Sequence, residues 1–319
     1  MGMSLLDLGE RGAIGEIRKI YGYGWPEDDS FYFKTGRGYT LLTTDMIKGA
    51  THVPTGASPE SVGYFAAAIN LSDIAAMGGV PKYFMSAIAM PKDSGVAELR
   101  GIERGIAKCL KKYSARMAGG DLKEGELTIA GFAVGEVESR RIIRRKGVRA
   151  GDVLCVTGRL GKNAAAFRMY AENPSRKMAD MVLEVEPRIP EGRVLGANGV
   201  VAGMDLSDGV YSAISQLGRV NGLGFEIDAE TIPVHPLVDD VVKKLGADRN
   251  DLALNFGGEY ELLFTVSRNG YDRVRKAMTR RGFAVTAIGS AIRGASRLIK
   301  EGKGFPIIKT GYEHFRVVK

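Results

Sequence analysis

The sequence predicts a two-domain protein of the α/β (α+β) class, and three observations carry that expectation. The chain has 319 residues, and at about 150 residues per domain this points to two. Apolar residues make up 45% and charged residues 26%, the balance of a globular chain with a core in each half. Segments of strand composition alternate with amphipathic helical segments through both halves, the pattern of layered α/β or α+β domains.

The elements follow in order. Residues 12–21 carry Ile14, Ile17 and Ile20 at helical spacing. Tyr39–Thr44 (YTLLTT) has strand composition. A helix starts with Ser58 as N-cap and Pro59 as its first residue, and it ends at Gly78-Gly79 with Pro81 beyond. A strand is expected at Tyr83–Met90. A helix over 95–113 places Leu99, Ile102, Ile106 and Leu110 on one stripe, and Leu127–Val137 reads as another strand. The basic stretch Ser139–Arg149 (SRRIIRRKGVR) is weakly patterned and serves as the linker. This divides the chain into 1–138 and 139–319. The second half offers strands at Asp152–Thr157, Tyr260–Val266 and Phe283–Ile288. Its helices fall near Asn163–Tyr170, from about Gly209, and near Tyr271–Arg280.

Several function classes are excluded. The longest uncharged stretch, Ser61–Ser72, is far short of the ~20 residues that a membrane span needs. Asp7, Glu10 and Arg11 interrupt any signal-peptide core. Cys109 and Cys155 are the only cysteines, which suits a reducing cytoplasm. With three histidines they cannot build a structural zinc site. There is no G-x-G-x-x-G or G-x-S-x-G motif, and Gly158–Asn163 has the wrong spacing for a phosphate-binding Walker loop. The net charge of +8 admits nucleic acid or small anions. The basic run of residues 140–149 lacks the interleaved aromatics of a single-strand binder, so a nucleic-acid-binding protein is the weaker, non-enzymatic alternative.

The chemistry lies in aspartates at turns and element ends: Asp28-Asp29, Asp45, Asp73, Asp121, and Asp205 with Asp208. At about 100° per residue, Asp73 falls in the middle of an apolar stripe formed by Val62, Phe65, Ile69 and Met77. A carboxylate there is costly unless an ion pair, a capping role or a metal compensates it. Many aspartates and few histidines favour magnesium with phosphate oxygens over zinc or iron. Thr43 and Thr44 are candidate hydroxyl ligands beside Asp45. Ser207 and Asp208 either cap the helix that follows or help to hold phosphate at its free N–H groups.

These motifs resemble the thiamine-monophosphate kinase family, within the superfamily that includes aminoimidazole ribonucleotide synthetase and selenophosphate synthetase. The resemblance spans nearly the whole chain. It rests on Pro26–Ser30 (PEDDS), Thr43–Met46 (TTDM) with His52, Asn70–Gly78 (NLSDIAAMG), Gly119–Asp121 (GGD), Asp205–Gly209 (DLSDG), Gly257–Leu263 (GGEYELL) and Gly311–Phe315 (GYEHF). It implies a two-domain fold whose N-terminal domains pair in a homodimer. It also implies direct, magnesium-assisted phosphoryl transfer from ATP to thiamine monophosphate, giving thiamine diphosphate. By motif match, Asp28, Thr43, Thr44, Asp45, Asp73, Asp121, Asp205 and Asp208 would hold several magnesium ions. Gly120, Asp121, Arg145 and Ser207 would contact ATP, and His52, Glu259 and Phe315 would contact thiamine monophosphate.

The chain departs from the family pattern in three places: Glu27 stands where glycine is common, Lys48-Gly49-Ala50 replaces a more acidic stretch, and GGEYEL is one acidic residue shorter than GGEDYEL. The alternative enzyme is another ATP-using member of the superfamily with a different small substrate. Selenophosphate synthesis is disfavoured because no cysteine precedes Cys109.

Overall fold

The computed structural model describes residues 4–22, 24–308 and 311–315. The first unit contains α1 (Leu5–Tyr21), β1 (Phe31–Thr35), β2 (Gly38–Lys48), α2 (Gly49–His52), α3 (Pro59–Ala76), β3 (Val80–Met90), α4 (Val96–Lys112), β4 (Arg116–Glu124) and β5 (Thr128–Glu138). Its strands form one sheet in the order β1-β2-β5-β3-β4. Pairing is antiparallel except between β3 and β4.

Helix α3 organises this unit. Ser58 caps it by accepting from the Ser61 N–H, and Pro59 follows, as the sequence predicts. Nearly every side chain from Val62 to Ala76 is buried, because the helix packs on β2 and β5, on α4, and on elements of the second unit. The close approach to α4 requires glycine. A Cβ on Gly63 would sit 1.9 Å from the Ile102 carbonyl oxygen, and one on Gly105 would sit 2.0 Å from that of Glu60. The helix ends at Met77, with Gly78 left-handed at φ 72°. Pro81 lies beyond the helix, as the sequence predicts, and falls inside β3 at a register irregularity facing β5, where a missing N–H is tolerated.

The second unit contains β6 (Val153–Thr157), α5 (Lys162–Glu172), α6 (Arg176–Val182), α7 (Ile189–Ala197), β7 (Ala202–Asp205), α8 (Val210–Asn221), β8 (Gly224–Asp228), α9 (Pro236–Leu245), β9 (Leu262–Val266), α10 (Arg268–Thr279), β10 (Val285–Ile292), β11 (Arg297–Lys300) and β12 (Lys303–Pro306). Its seven strands are ordered β12-β11-β8-β10-β6-β9-β7. The two units share a core, since Leu183, Val185 and Ile189 pack with the first unit's Leu71, Ile74 and Phe84. The sequence reading misses β1, α2, β4, α6, α7, β7, β8, α9, β11 and β12. These are short, exposed or irregularly patterned, as β4 shows with every residue exposed. Among the described residues, no helix is long and apolar enough to cross a membrane.

Candidate active site: a buried acidic cluster between the two units

Alternation along β2 sets the first half of the site. Successive residues of a strand point to opposite faces. Thr43 and Asp45 therefore turn inward toward α3, while Thr44 faces outward. Thr43 donates its hydroxyl to Asp73 Oδ2 on α3. The Asp45 N–H donates to Asn70 Oδ1 at 2.9 Å, and Asn70 in turn donates to the Ala66 carbonyl at 3.0 Å. The outward Thr44 hydroxyl donates to the Gly131 carbonyl across the strand pair at 2.9 Å.

Asp73 is not pressed into a packing stripe as the helical wheel suggests. Helix α3 is apolar on all sides and buried nearly throughout, and Asp73 is the partly open residue within 65–79. It faces the cleft in which Asp29 and Asp205 converge. One carboxylate oxygen from each of Asp29, Asp73 and Asp205 lies within 4.8 Å of the others. Asp205, at the end of β7, accepts from the Ser72 hydroxyl at 2.6 Å, so consecutive residues of α3 reach both units. Asp29 pairs with Arg145 Nη2 at 2.5 Å, and Arg145 also donates to Gln216 at 2.7 Å. Asp28 accepts instead from the Arg145 backbone N–H at 2.6 Å. Of the Asp-Asp pair, the second residue thus enters the triad, which the sequence does not distinguish.

The electrostatics are those of crowded, desolvated carboxylates. Burial pushes Asp45 up to about 7, with Asp208, Asp29 and Glu10 adding like charge. Burial and Glu10 raise Asp208 to about 6. Asp73 and Asp205 are raised well above the ordinary range, first by burial and then by their acidic neighbours. Like charges this close disfavour simultaneous ionisation. The Tyr260 hydroxyl is also raised, by burial and then by Asp45, Asp205 and Asp208. Its backbone is left-handed at φ 52°, a strained setting for a non-glycine residue. Sequence reasoning misses Tyr260, which lies inside the GGEYELL motif without a role assigned to it, and Glu10, which no motif marks.

The Asp205–Gly209 turn decides between the two roles open to Ser207 and Asp208. The N-cap of α8 is Gly209, and no side chain caps that helix. Ser207 and Asp208 are therefore not spent on capping. Gly257 and Gly258 press on this turn. A Cβ on Gly257 would lie 2.1 Å from the Ser207 carbonyl oxygen, and the Gly258 N–H donates to that oxygen at 2.7 Å.

Glu259 then lies at the start of α5, accepting from the Asn163 N–H at 3.0 Å, and burial raises it to about 8. His52, on α2, sits 5.6 Å from the His314 ring, which is 6.4 Å from Phe315. His52 and Phe315 thus meet through His314 at the cleft mouth, where Tyr312 N–H binds the Asp208 carbonyl at 3.3 Å. Burial and His314 lower the His52 pKa. The unusual Glu27 bridges Arg18 of α1 and Arg219 of α8, an ion-pair role that glycine cannot fill.

Two expected residues stay apart. Asp45, Gly131, Ser86 and Gly120 lie in one row across β2, β5, β3 and β4. At about 4.8 Å per strand, Gly120 is roughly 14 Å from Asp45, and Asp121 follows it. Asp121 is exposed and pairs with Lys123 at 3.1 Å, which together with a backbone N–H lowers its pKa.

The sequence matches the family models for AIR synthase related proteins, the N-terminal domain over residues 27–137 and the C-terminal domain over 149–300. It is 32% identical to the thiamine-monophosphate kinase of Pyrococcus horikoshii, over 91% of this chain and 90% of that one. It is also 32% identical to that of Methanospirillum hungatei, over 96% and 99%. A solved structure described as AaThiL complexed with AMPPCP and TMP superposes with a TM-score of 0.88 at 27% identity, covering 98% and 99% of the two chains. With identity sustained across both units, and with the acidic cluster built from the motifs of both, the chain belongs to the thiamine-monophosphate kinase family.

Proposed function

We propose that the protein transfers the γ-phosphoryl group of ATP to the phosphate of thiamine monophosphate, forming thiamine diphosphate. The observation that carries this is the convergence of Asp29, Asp73 and Asp205 from three separate segments in a chain of this family. The acceptor oxygen of a phosphate is already anionic, so the reaction needs positioning and charge neutralisation rather than a strong base.

The donor set fits a hard divalent cation. It is all oxygen, its carboxylates are raised first by burial and then by their acidic neighbours, and among the described residues the buried Asp29 Oδ2 has no hydrogen-bond partner. Asp29, Asp45, Asp73, Asp205 and Asp208 would hold magnesium, with Thr43 beside them and Asp28 steadying Arg145. Magnesium bound there supplies neutralisation of the phosphate charges. Arg145 and Ser207 face the ATP phosphates. His52, Phe315 and Glu259 line the thiamine monophosphate side.

We also propose a homodimer formed through the outer face of the first sheet. Phe31, Phe33, Met46, Tyr83, Met85 and Phe132 are all at least 40% exposed there, an apolar patch of the kind that pairs with a second copy. Thr44, Gly120 and Asp121 share this region, so pairing is the route by which they would join the site. The division of the chain at 138/139 rests on the first sheet ending at Glu138. The buried free thiols of Cys109 and Cys155 are in keeping with a cytoplasmic protein.

The test is conversion of thiamine monophosphate to the diphosphate with ATP, with and without magnesium. Turnover of ATP with aminoimidazole precursors or selenide, but none with thiamine monophosphate, would assign the chain to another reaction of the superfamily.

A further inference from the structure

A second charged region lies elsewhere at the junction of the two units. A cavity of about 350 Å³ is lined by Arg141, Arg193, Arg280 and Arg281, with Asn198 and small apolar residues and without a carboxylate. A larger cavity of about 450 Å³ adjoins it and shares Arg141 and Arg193. We propose that this arginine groove is a binding site for a small di- or polyphosphate, separate from the acidic cluster.

The framework is rigid. The segment after β5 runs between the end of α3 and α7 with no room for side chains at the contact. A Cβ on Gly196 would lie 2.2 Å from the Arg141 carbonyl oxygen, and one on Gly78 would lie 2.8 Å from it. Gly192 packs as tightly on Ala75, with 2.1 Å to its carbonyl oxygen. The Arg141 backbone is thereby fixed against α7, which carries Arg193, while Arg280, the C-cap of α10, and Arg281 just beyond it line the same cavity.

The charges are not spent internally. Among the described residues Arg193, Arg280 and Arg281 form no ion pair, and Arg141 pairs only with Glu138, at 3.0 Å. Cations at a helix C-terminus complement its dipole. That accounts for Arg280 and Arg281 but not for Arg193 within α7 or Arg141 in the connecting segment. Guanidinium groups gathered around one cavity repel unless an anion is held between them, and their planar fork matches phosphate oxygens. The volume suits a small molecule. No aromatic side chain lines the arginine-rich cavity, so it lacks the stacking surface that single-stranded nucleic acid uses.

The experiment is calorimetric titration of the full-length protein with inorganic pyrophosphate in chelator at low salt, which silences a metal-dependent catalytic site. We expect one pyrophosphate per chain and at least tenfold weaker binding in an Arg193→Ala, Arg281→Ala double variant. That variant should melt like the parent and keep its basal turnover, since both side chains are exposed. Asp73→Asn should bind as the parent does. Parallel titrations with ADP and with thiamine diphosphate identify the source of the phosphates by which binds more tightly. Absence of binding at millimolar pyrophosphate, unchanged affinity in the double variant, or loss of binding in Asp73→Asn would overturn the proposal. So would tighter, arginine-dependent binding of a DNA duplex, which would give the groove to nucleic acid.

Discussion

The two faces of strand β2 have opposite chemistry although their residues alternate in a single segment. Inward-facing Thr43 and Asp45 meet Asp73 and Asn70 of α3 in a desolvated cleft where carboxylate pKa values rise. Outward-facing Thr44 and Met46 lie on an exposed, largely apolar surface, and Asp121, three strands across, keeps a lowered pKa beside Lys123. The same residue type therefore has opposite electrostatics on the two faces. Burial and like-charge neighbours act on one, and solvent with a cationic partner on the other.

The largest effect should come from the inner face. Asp73→Asn should lower kcat/KM by about 10³-fold or more, on the order of 4 kcal/mol of barrier. In chelator its melting temperature should be no lower than the parent's. Among the described residues Asp73 forms no ion pair, and its removal relieves repulsion from Asp45 and Asp205. A substantial loss of metal-free stability would instead point to an ion pair there.

The outer face is tested by charge. Phe132→Glu with Met85→Glu should convert a dimer to monomers in sedimentation while leaving the core intact, because both side chains are at least 40% exposed. Activity should fall with it if Thr44 and Asp121 act across the pair. A variant that stays dimeric would place the interface elsewhere.

The pH dependence sharpens the contrast. Folded pKa values of about 7 for Asp45 and about 6 for Asp208 stand above the ordinary carboxylate range, so the native state binds the extra protons. Their contribution to metal-free stability is full at acid pH and is lost as pH rises from about 4 to about 7. Magnesium, binding only the folded cluster, should restore about 2.7 kcal/mol at a hundredfold excess over its Kd. Melting curves with magnesium and with chelator should therefore diverge as pH rises, and less so in Asp45→Asn. Parallel curves would mean that the aspartates do not share a cation.

The smallest effect separates neighbouring hydroxyls. Thr43→Val removes a donor to the Asp73 carboxylate and should cost about 1–2 kcal/mol in chelator. Thr44→Val, on the exposed face, should stay within about 0.5 kcal/mol. Equal costs would contradict the alternation.

Much of this was legible in one dimension. The start of α3 follows from Ser58 and Pro59, because capping is local. The aspartate motifs announce oxygen-ligand, phosphate chemistry, because hard cations select carboxylates. The cluster's membership is less legible. A doublet such as Asp28-Asp29 carries no local signal for which carboxylate turns inward, and Arg145 chooses between them only when residues more than a hundred positions apart meet. Strand β4 was hidden because an exposed edge strand needs no alternating pattern.

By itself the sequence determined the class of fold, the order of the motifs and the kind of chemistry, since propensity, capping and ligand preference belong to individual residues and their near neighbours. Only the tertiary structure decided that Asp29 rather than Asp28 joins the triad, that Asp73 opens on a cleft instead of a packing face, and that Asp121 stands about 14 Å from Asp45. It likewise decided that four arginines from three segments share one cavity. Burial, register and approach across two packed units are properties of the assembled chain, and they set which charges meet and how strongly they are felt.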